Sequence, residues 1–390
     1  MYVLFDPMPL WFIITSLPLL VVILMALAKV HFAKNRRDAE TGTFPLTEIL
    51  IPIKGESPDQ QDILESLLTQ SYPNYGVTFI VESEDDPAAD LLSKLCQRYS
   101  RGRIIVSELA TSCAQKNQNL IAGIKALDPD TEIVVFCDST NVADPDWLGR
   151  FTGPIRRGDC EVLTTFRAFR PEPETVGGVS QAIYAAFVLT LVLLGPRPWG
   201  GGTAIRREVL DRLNVVDTWS HTVVDDLVLG NLLGRTGIKI YMDPGSILTS
   251  PLKKQTITGF LGYLDRQILF PKFTNPEIWL ATLIVHLNIT MALLGAMVTV
   301  AFYSVGLVSN SAGISSMHFL VAMILIGLLL RNINPFYITV RNWFIGFLPC
   351  VLLAAFVFLR SIFRSYIDWH GRRYYPGKGG IVLETRYVKP

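Results

Sequence analysis

The sequence predicts a doubly wound, mostly parallel α/β domain with transmembrane helices on its N- and C-terminal sides. Two observations lead to this fold class. Segments typical of strands and of helices alternate over residues 44–275, and such alternation favours a parallel sheet with right-handed crossovers. Long runs without a charged side chain stand before and after that block. At 390 residues, the chain has room for one large domain or two modest ones.

The composition argues against several classes of partner and site. Lys+Arg 35 against Asp+Glu 34 gives a net charge of +1, so there is no basic field for nucleic acid and we expect no nucleic-acid partner. Hydrophobic residues make up 50% of the chain and charged residues only 18%, which fits a membrane protein. Five cysteines without CxxC or Cys/His spacing argue against a zinc site or a disulfide framework.

The first apolar run has the length and the flanking charges of a retained membrane anchor. Residues 7–28 are uncharged and are followed by Lys29, Lys34, Arg36 and Arg37. Such a run can span a hydrocarbon core of about 30 Å, and a cleaved signal peptide would carry its positive charge before the apolar run. We therefore predict an anchor over residues 7–32 and a cytoplasmic domain over 44–275.

Strands and helices of the α/β block can be assigned in order from their apolar patterns. We predict strands over Leu46–Ile53, Val77–Val81, Arg103–Val106 and Ile133–Phe136, and helices over Asp62–Gln70, Ala88–Tyr99 and Asn117–Ala126. The last strand is a bare apolar run, as expected for a parallel strand buried on both faces, and Asp138 follows it. A carboxylate at a strand end can hold a divalent cation together with phosphate oxygens. The alternative is that Asp138 caps a helix starting near Asp144.

A second acidic group, residues 82–86, follows the strand that ends at Val81. Carboxylates at two neighbouring strand ends suit a nucleotide site. The chain has no GxxxxGK[ST] loop and no GxGxxG after a strand, so a phosphate site must depend on metal and basic side chains. Lys116 and Arg266 are candidates for the basic part, and an ordinary solvated residue is the alternative for each.

An uncharged segment, residues 175–196, interrupts the α/β block and is long enough to cross a membrane. A crossing would put Asp225 and Asp226 on the opposite side from Asp138. We therefore predict an interfacial or re-entrant segment that lines an access path for lipid. A buried core helix is the alternative.

Two polar motifs follow this segment. Trp199–Thr203 contains three glycines, which permit close backbone approach to a ligand. Val223–Leu233 predicts a helix with Asp225 and Asp226 in its first turn, where the helix dipole favours carboxylates. Capping is one interpretation of that pair, and a general base for a substrate hydroxyl is the other.

The C-terminal part predicts further membrane spans. Residues 278–330 contain no Asp, Glu, Lys or Arg, so two spans fit near 279–307 and 317–330, joined by the loop Ser309–Ser316. A third uncharged run covers Asn342–Leu359. We accordingly assign the C-terminal transmembrane region to residues 277–365.

Residues 366–390 form a basic and aromatic tail of a composition that suits a membrane surface. Three spans after a cytoplasmic domain would leave this tail outside, against the positive-inside bias. Either one segment is re-entrant or the tail is an exception, and we favour a cytoplasmic tail.

The motifs of the chain, in their order, resemble those of the ceramide glucosyltransferases and their bacterial relatives in glycosyltransferase family 2. They read IPIKGESP, VESEDDPAADLL, QKNQNL, VVFCDSTN, GGGTAIRREVLD, VVDDLVLG and YLDRQ, followed by a WHGRRY tail. The resemblance covers about residues 10–375. It implies a GT-A nucleotide-diphospho-sugar transferase fold in a bacterial cytoplasmic membrane, and inverting transfer of a sugar to a lipid hydroxyl.

The resemblance also implies the substrates. The donor would be a UDP-sugar, with UDP-glucose as the family's default, and the acceptor a lipid of the bilayer such as ceramide. A hopanoid, a diacylglycerol or a polyprenyl phosphate are the other acceptors that fit. A catalytically inactive membrane scaffold is the alternative of another class.

By the same resemblance, Asp138 matches the metal-binding aspartate of the CDS motif, and oxygen ligands favour Mn²⁺ or Mg²⁺. Asp226 matches the catalytic base of an acidic pair whose first member is Asp225 here. Lys116 and Asn119 match a Lys-x-x-Asn-Leu motif of the donor site. The acceptor or sugar pocket is expected to include Gly201, Gly202, Thr203 and Gln267.

The sequence departs from the family pattern at two places. The family's nucleotide-binding aspartate falls within Glu82–Glu84, where Glu82 is the expected replacement and Glu84 and Asp85 remain open. The last motif keeps Arg266 but loses its tryptophan, which argues against a long glycan acceptor.

Overall fold

The structure is a computed structural model that describes residues 8–34, 43–57 and 59–388. The first residue of the predicted anchor, at position 7, and the basic side chains Arg36 and Arg37 lie outside these ranges. Three parts can be distinguished: an α/β domain, a set of long apolar helices that packs against it, and a small C-terminal sheet.

The described chain contains the following strands, numbered in order: β1 Thr47–Pro52, β2 Tyr75–Val81, β3 Gly102–Val106, β4 Ile133–Cys137, β5 Val162–Thr164, β6 Arg167–Glu172, β7 Gly202–Arg206, β8 Ile240–Met242, β9 Leu248–Lys253, β10 Ile367–Trp369, β11 Arg372–Pro376 and β12 Val382–Tyr387.

Its helices are α1 Met8–Lys34, α2 Gln60–Leu68, α3 Ala89–Arg98, α4 Gln115–Lys125, α5 Trp147–Arg156, α6 Val176–Leu194, α7 Arg207–Arg212, α8 Val215–Trp219, α9 Asp226–Thr236, α10 Ile257–Thr274, α11 Pro276–Ser304, α12 Asn310–Arg331 and α13 Val340–Ile362. Single turns of 3₁₀ helix lie at Pro244–Ser246 and Lys378–Gly380.

A seven-stranded sheet in the order β3-β2-β1-β4-β7-β5-β8 forms the centre of the α/β domain. Strands β1 to β4 are mutually parallel, and β7 runs antiparallel to both β4 and β5. The order reverses between β1 and β4, and such a switch point is where open α/β sheets bind ligands. The predicted α/β fold is therefore confirmed.

The strands are apolar on both faces because helices cover both faces. On β4, Ile133, Val135 and Cys137 pack towards α2, α3 and α5, while Val134 and Phe136 pack towards α4, α8 and α9. Each side chain of this size contributes about 1.5–3 kcal/mol when fully buried. This packing fixes the end of β4, so the position of the next residue, Asp138, is set by the core beneath it.

Five of the described helices are long and apolar enough to cross a membrane, namely α1, α6, α11, α12 and α13. They share one apolar cluster, and polar contacts fix α1 to α11: Trp11 Nε1 donates to Asn288 Oδ1 at 2.8 Å, and Asn288 Nδ2 donates to Thr15 Oγ1 at 2.9 Å. These helices support a membrane protein. The predicted loop Ser309–Ser316 is mostly wrong, because α12 begins at Asn310 with Ser309 as its N-cap.

Helix α6 combines features of both interpretations of residues 175–196. Most of its side chains are buried against α1, α10, α12 and α13, as in a core helix. Phe187, Val188 and Leu191 nevertheless line a cavity, as the access-path interpretation requires.

The tail takes a different form from the expected surface segment. Strands β10, β11 and β12 make an antiparallel sheet that packs against the α/β domain. Thr222 pairs with Ile381 as an isolated bridge, and Ile367 and Tyr374 are fully buried in a core cluster of the domain. The aromatic residues of the tail therefore serve packing as well as any surface.

Candidate active site

A cavity of about 650 Å³ opens at the carboxyl edge of the central sheet. Its polar end is walled by the ends of β1, β2 and β4, the starts of α4 and α9, and the hairpin β10–β11. Its other end is apolar and lies between α6, α11 and α13, where Tyr184, Phe187, His286 and Phe358 line it. One cavity thus connects a charged sheet edge with the long apolar helices.

Lys116 joins carboxylates from two distant parts of the chain. Its Nζ atom lies 3.0 Å from Asp138 Oδ1 and 3.3 Å from Asp225 Oδ2. Burial alone would lower the pKa of Lys116, but Asp138, Asp225 and Asp226 raise it well above its usual value. Lys116 therefore stays charged, and the prediction that it belongs to the basic part of the site fits this geometry.

Asp138 lies one residue beyond β4 and faces cations on both oxygens. Besides Lys116 at Oδ1, Arg167 Nη1 approaches Oδ2 at 3.8 Å. Burial would raise the pKa of Asp138, but Lys116 and Arg167 hold it below the usual value. The capping alternative is wrong, because α5 begins only at Trp147 and Asp138 points into the cavity instead.

Asp226, at the first position of α9, has a different environment. Its carboxylate accepts hydrogen bonds from the backbone N–H groups of Gly200 (3.1 Å) and Leu227 (2.7 Å). Burial and the neighbouring charge of Asp225 raise the pKa of Asp226 to about 6, although Lys116 opposes the shift. Such a carboxylate can accept a proton near neutral pH.

Two guanidinium groups face the same part of the cavity. Arg167 stacks on the rings of Phe169 (4.8 Å), Trp199 (5.4 Å) and Tyr263 (5.7 Å). Burial and the charge of Arg167 lower the pKa of Arg266. Since like charges gathered in a buried pocket repel each other, this part of the cavity suits an anion.

Glu82 is the residue of the acidic group after β2 that lines the cavity. It is 8% exposed, lines the cavity and pairs with Lys54 and with Arg372, whose Nη2 lies 2.9 Å from Glu82 Oε2. Glu84 and Asp85 are exposed and do not line the cavity, so the expected site role of Glu84 is not supported.

Asn119 lines the cavity, but its amide is engaged within the protein. Its Nδ2 donates to Ile80 O at 3.0 Å, and its Oδ1 accepts from Ser107 Oγ at 2.7 Å and from Gln115 Nε2 at 2.9 Å. These bonds tie α4 to β2. We therefore assign Asn119 to the support of Lys116, one turn earlier on the same helix, and not to direct ligand contact.

The glycines before β7 are needed for a reason other than the one predicted. A Cβ on Gly200 would lie 2.1 Å from Asp225 Oδ2, and a Cβ on Gly201 would lie 2.6 Å from Asp138 Oδ2. These glycines therefore let the backbone approach the carboxylates of Asp225 and Asp138, and not a ligand. Gly201, Gly202 and Thr203 are not among the cavity's lining residues, whereas Gln267 is. Thr203 Oγ1 donates to Trp199 O at 2.8 Å and so fixes this loop.

Sequence reasoning did not find several residues of the cavity wall. They are Lys54, Arg167, Trp199, His286, His370 and Arg372. Lys54 stands directly after the β1 strand in the motif IPIKGESP, which could have marked it. Arg372 lies in the WHGRRY motif of the tail, which could have marked it in the same way, but nothing in the local pattern pairs it with Glu82, 290 positions earlier.

The residues around Asp138 limit how a divalent cation could bind. Among the described residues, no group of three or more His, Cys, Asp or Glu side chains is arranged to hold a metal. Asp138 would be the protein's carboxylate ligand, and substrate phosphate and water would complete the shell, an arrangement that Mg²⁺ commonly adopts. Lys116 and Arg167 already contact the two oxygens of Asp138, so the protein itself would contribute little beyond this one carboxylate.

Known proteins resemble this chain in sequence and in fold. The family model of glycosyl transferase family 21 matches residues 12–382. The mannosyltransferase PcManGT from Pyrobaculum calidifontis, solved in complex with GDP-Man and Mn2+, is 17% identical with a TM-score of 0.53, over 91% of this chain and 99% of that chain. The 4-diphosphocytidyl-2C-methyl-D-erythritolsynthase from Anaerococcus prevotii DSM 20548 is 11% identical over 50% of this chain and 85% of that chain, with a TM-score of 0.34, too low to carry an argument.

Proposed function

The chain belongs to glycosyl transferase family 21, and we propose that it is an inverting hexosyltransferase that moves a sugar from a nucleoside diphosphate to the hydroxyl of a membrane lipid. UDP-glucose and ceramide are the first donor and acceptor to test. A hopanoid, a diacylglycerol or a polyprenyl phosphate are the alternative acceptors. The observation that carries the proposal is the single cavity that holds Asp138, Lys116 and Asp226 at one end and apolar helices at the other.

The polar end supports binding of the donor diphosphate. Lys116, Arg167 and Arg266 present positive charge around the end of β4, where two phosphates would lie. Asp138 would share a Mn²⁺ or Mg²⁺ ion with the phosphate oxygens, and that ion would supply charge neutralisation as the diphosphate leaves. The three basic side chains would stabilise the same developing charge.

Asp226 is suited to be the general base. An ionised Asp226 would take the proton from the acceptor hydroxyl while that oxygen bonds to the anomeric carbon. The bond from the anomeric carbon to the diphosphate oxygen breaks, and the nucleoside diphosphate leaves with the electron pair. Attack from the face opposite the leaving group inverts the anomeric configuration. The hydrogen bonds from Gly200 and Leu227 would hold the carboxylate in position.

The apolar end of the cavity supports a lipid acceptor. Phe187 and Val188 of α6 face His286 of α11 and Phe358 of α13 there. A second cavity of about 70 Å³ shares Tyr184, Phe187 and His286 with the first and continues between α1, α12 and α13. Most of the residues that line it are aliphatic or aromatic, so it suits a short stretch of an alkyl chain. A lipid with its chains there could present its hydroxyl towards Asp226.

Contacts around α6 and α13 support one membrane orientation for the domain and the tail. Asp138 precedes α6 and Asp225 follows it, yet both contact Lys116, so the two ends of α6 lead to the same side of a membrane. Helix α13 is likewise fixed to α/β elements at both ends, by Asn342 to Glu174 at 2.7 Å and by Lys272 to Ser361 O at 2.6 Å. With α11 and α12 as a crossing pair, the domain and the tail both lie in the cytoplasm of a bacterial cell.

The proposal can be tested on purified full-length protein in lipid nanodiscs. UDP-, GDP- and other nucleoside diphosphate sugars would be offered with Mn²⁺ and with each acceptor lipid, while released nucleotide and new glycolipid are followed. Release that requires both a sugar donor and a lipid hydroxyl is expected. A folded protein that releases no nucleotide with any pair would favour the scaffold alternative.

A further inference from the structure

The C-terminal hairpin β10–β11 reaches the donor end of the cavity through one buried ion pair. Arg372 is 5% exposed, and its Nη2 atom lies 2.9 Å from Glu82 Oε2. Lys54 pairs with the other oxygen of the same carboxylate. Removing two charges from water is costly, and apolar residues of similar volume often stabilise a fold as well or better. Stability alone therefore does not account for this ion pair on the wall of the cavity.

The hairpin and the turn after it also touch the two other segments that carry the site. The hydroxyl of Tyr374 accepts a hydrogen bond from the backbone N–H of Gln115, the first residue of the helix that carries Lys116, at 3.3 Å. Gly380 O accepts from the N–H of Val223, two residues before Asp225, at 2.9 Å. The tail thus contacts the three segments that supply Glu82, Lys116 and Asp225.

The tip of the hairpin faces the cavity in an uncommon backbone conformation. His370 and Gly371 have φ angles of +47° and +73°, and a histidine in this region is infrequent although tolerated. His370, Arg372, Tyr374 and Trp369 all line the cavity. The turn therefore directs side chains of the tail towards the space where the nucleoside would lie.

We propose that the hairpin Ile367–Pro376 is a wall of the donor-nucleotide site and that Arg372 is a positioning residue that acts on the nucleoside through Glu82. The inference rests on the proposed function, since it concerns the donor of that reaction. Lys54 contacts Oε1 of Glu82 and Arg372 contacts Oε2, so the carboxylate, which lines the cavity, is held in one orientation.

The chemistry of Glu82 selects the class of nucleotide. Burial would raise its pKa, but Lys54 and Arg372 hold the pKa of Glu82 below its usual value, so the carboxylate only accepts hydrogen bonds. At the ring nitrogen in the middle of the pairing edge, uracil (N3) and guanine (N1) carry a proton, whereas cytosine (N3) and adenine (N1) are acceptors and offer only the exocyclic amino group beside it. The wall therefore favours uridine or guanosine diphosphates over cytidine or adenosine diphosphates.

The test measures binding of UDP, GDP, CDP and ADP, each with Mn²⁺, to the full-length protein in nanodiscs by calorimetry. Arg372→Met is expected to weaken UDP or GDP binding about tenfold. With saturating donor, kcat should stay within about threefold of wild type while the donor KM rises about tenfold. Arg372→Lys should recover part of the loss, because it restores charge without the planar fork.

Arg373→Met is the matched control. Arg373 is the next residue of the same strand, and it pairs with Asp368 at 2.7 Å on the other face of the hairpin. Its variant should bind nucleotide as wild type does. Arg372→Met leaves Glu82 paired with Lys54, and a melting curve checks that the variant folds. If it does not fold, Arg372→Lys and Glu82→Gln replace it in the test. Glu82→Gln is then expected to show a reduced preference for UDP over CDP.

The outcomes separate this inference from the function it rests on. Wild type that binds no nucleoside diphosphate would remove the donor site, and the inference with it. Wild type that binds nucleotide while folded Arg372→Met binds it equally well would overturn the inference alone. Equal losses in Arg372→Met and Arg373→Met would assign the tail a purely structural role and overturn it as well.

Discussion

Asp138 and Asp226 line one cavity, but Asp138 has only cations as charged neighbours, whereas Asp226 has the carboxylate of Asp225 as well as Lys116. At the end of β4, Asp138 faces Lys116 and Arg167, which hold its pKa below the usual value against the effect of burial. At the start of α9, burial and Asp225 raise the pKa of Asp226 to about 6. Two identical side chains are thus prepared for different chemistry, one to remain an anion and one to accept a proton. Substitutions at the two positions should have different kinetic signatures.

The largest effect is expected from Asp226→Asn, which keeps the shape of the side chain but cannot take a proton. Loss of a general base lowers kcat by about 10²–10⁴-fold, and we expect about 10³-fold. Donor binding should remain, because the substitution leaves Asp138, Lys116 and Arg167, which would bind the diphosphate, unchanged. Single-turnover kinetics and calorimetry with the donor measure the two quantities.

Asp217→Asn is a suitable control, since Asp217 is an exposed carboxylate nine positions earlier. If Asp226→Asn kept a tenth or more of wild-type kcat, the comparison would no longer assign the base to Asp226.

Asp138→Asn should have the next largest effect. It should act on the use of the donor and of Mn²⁺, whereas Asp226→Asn acts on kcat. We expect kcat/KM for the donor to fall about 10²-fold, and the Mn²⁺ concentration needed for half-maximal activity to rise. Titration of Mn²⁺ at fixed donor concentration measures this. A variant with normal donor affinity and normal Mn²⁺ dependence would show that the β4 end does not hold the diphosphate.

The effect of pH on kcat/KM should be smaller than the effects of the two aspartate substitutions and larger than that of Arg167→Met. A base acts only when ionised, so kcat/KM should fall about tenfold per pH unit below the pKa of Asp226, about 6. Lys116 lowers that pKa, and Lys116→Met should therefore move the acid limb to higher pH. Profiles of kcat/KM for wild type and variant measure the shift. An acid limb below pH 4 in wild type, or an unshifted limb in the variant, would contradict the assignment.

The sequence predicted the parts of the site that follow from local pattern. The apolar run of β4 places Asp138 at a sheet edge, and the start of α9 places Asp226 in a first turn. The prediction of a glycosyltransferase is confirmed by the family match, although the family is numbered 21 and not 2. The roles of these residues stay predictions.

The parts that the sequence could not predict depend on long-range packing. Arg372 belongs to a tail whose composition suits a membrane surface, and only the tertiary fold brings it to Glu82. The three glycines at Gly200–Gly202 predict space for a ligand, and nothing in the local pattern indicates that Asp138 and Asp225 occupy that space. Arg167 lies in the TTFRAF segment, where no motif distinguishes it from a solvated arginine.

The smallest effect is expected from Arg167→Met. This substitution removes one of the two cations beside Asp138 and leaves the other, Lys116, in place. The guanidinium lies 3.8 Å from Asp138 Oδ2, so it adds charge near the diphosphate but donates no close hydrogen bond to that carboxylate. We expect the donor KM to rise about fivefold with little change in kcat. Arg167→Lys should recover part of the loss, because it keeps the positive charge but not the planar group that stacks on Trp199 and Tyr263.

Arg170→Met is the control for this change, since Arg170 lies on the same strand but is exposed and pairs with Glu172. The pH profile supplies a second measurement. Arg167 lowers the pKa of Asp138, whereas the main influences on the pKa of Asp226 are burial, Asp225 and Lys116. Arg167→Met should therefore leave the acid limb unshifted, whereas Lys116→Met moves it. An equal shift of the acid limb in both variants would mean that Asp138 and Asp226 share one electrostatic environment. The difference between their pKa values would then not distinguish their roles.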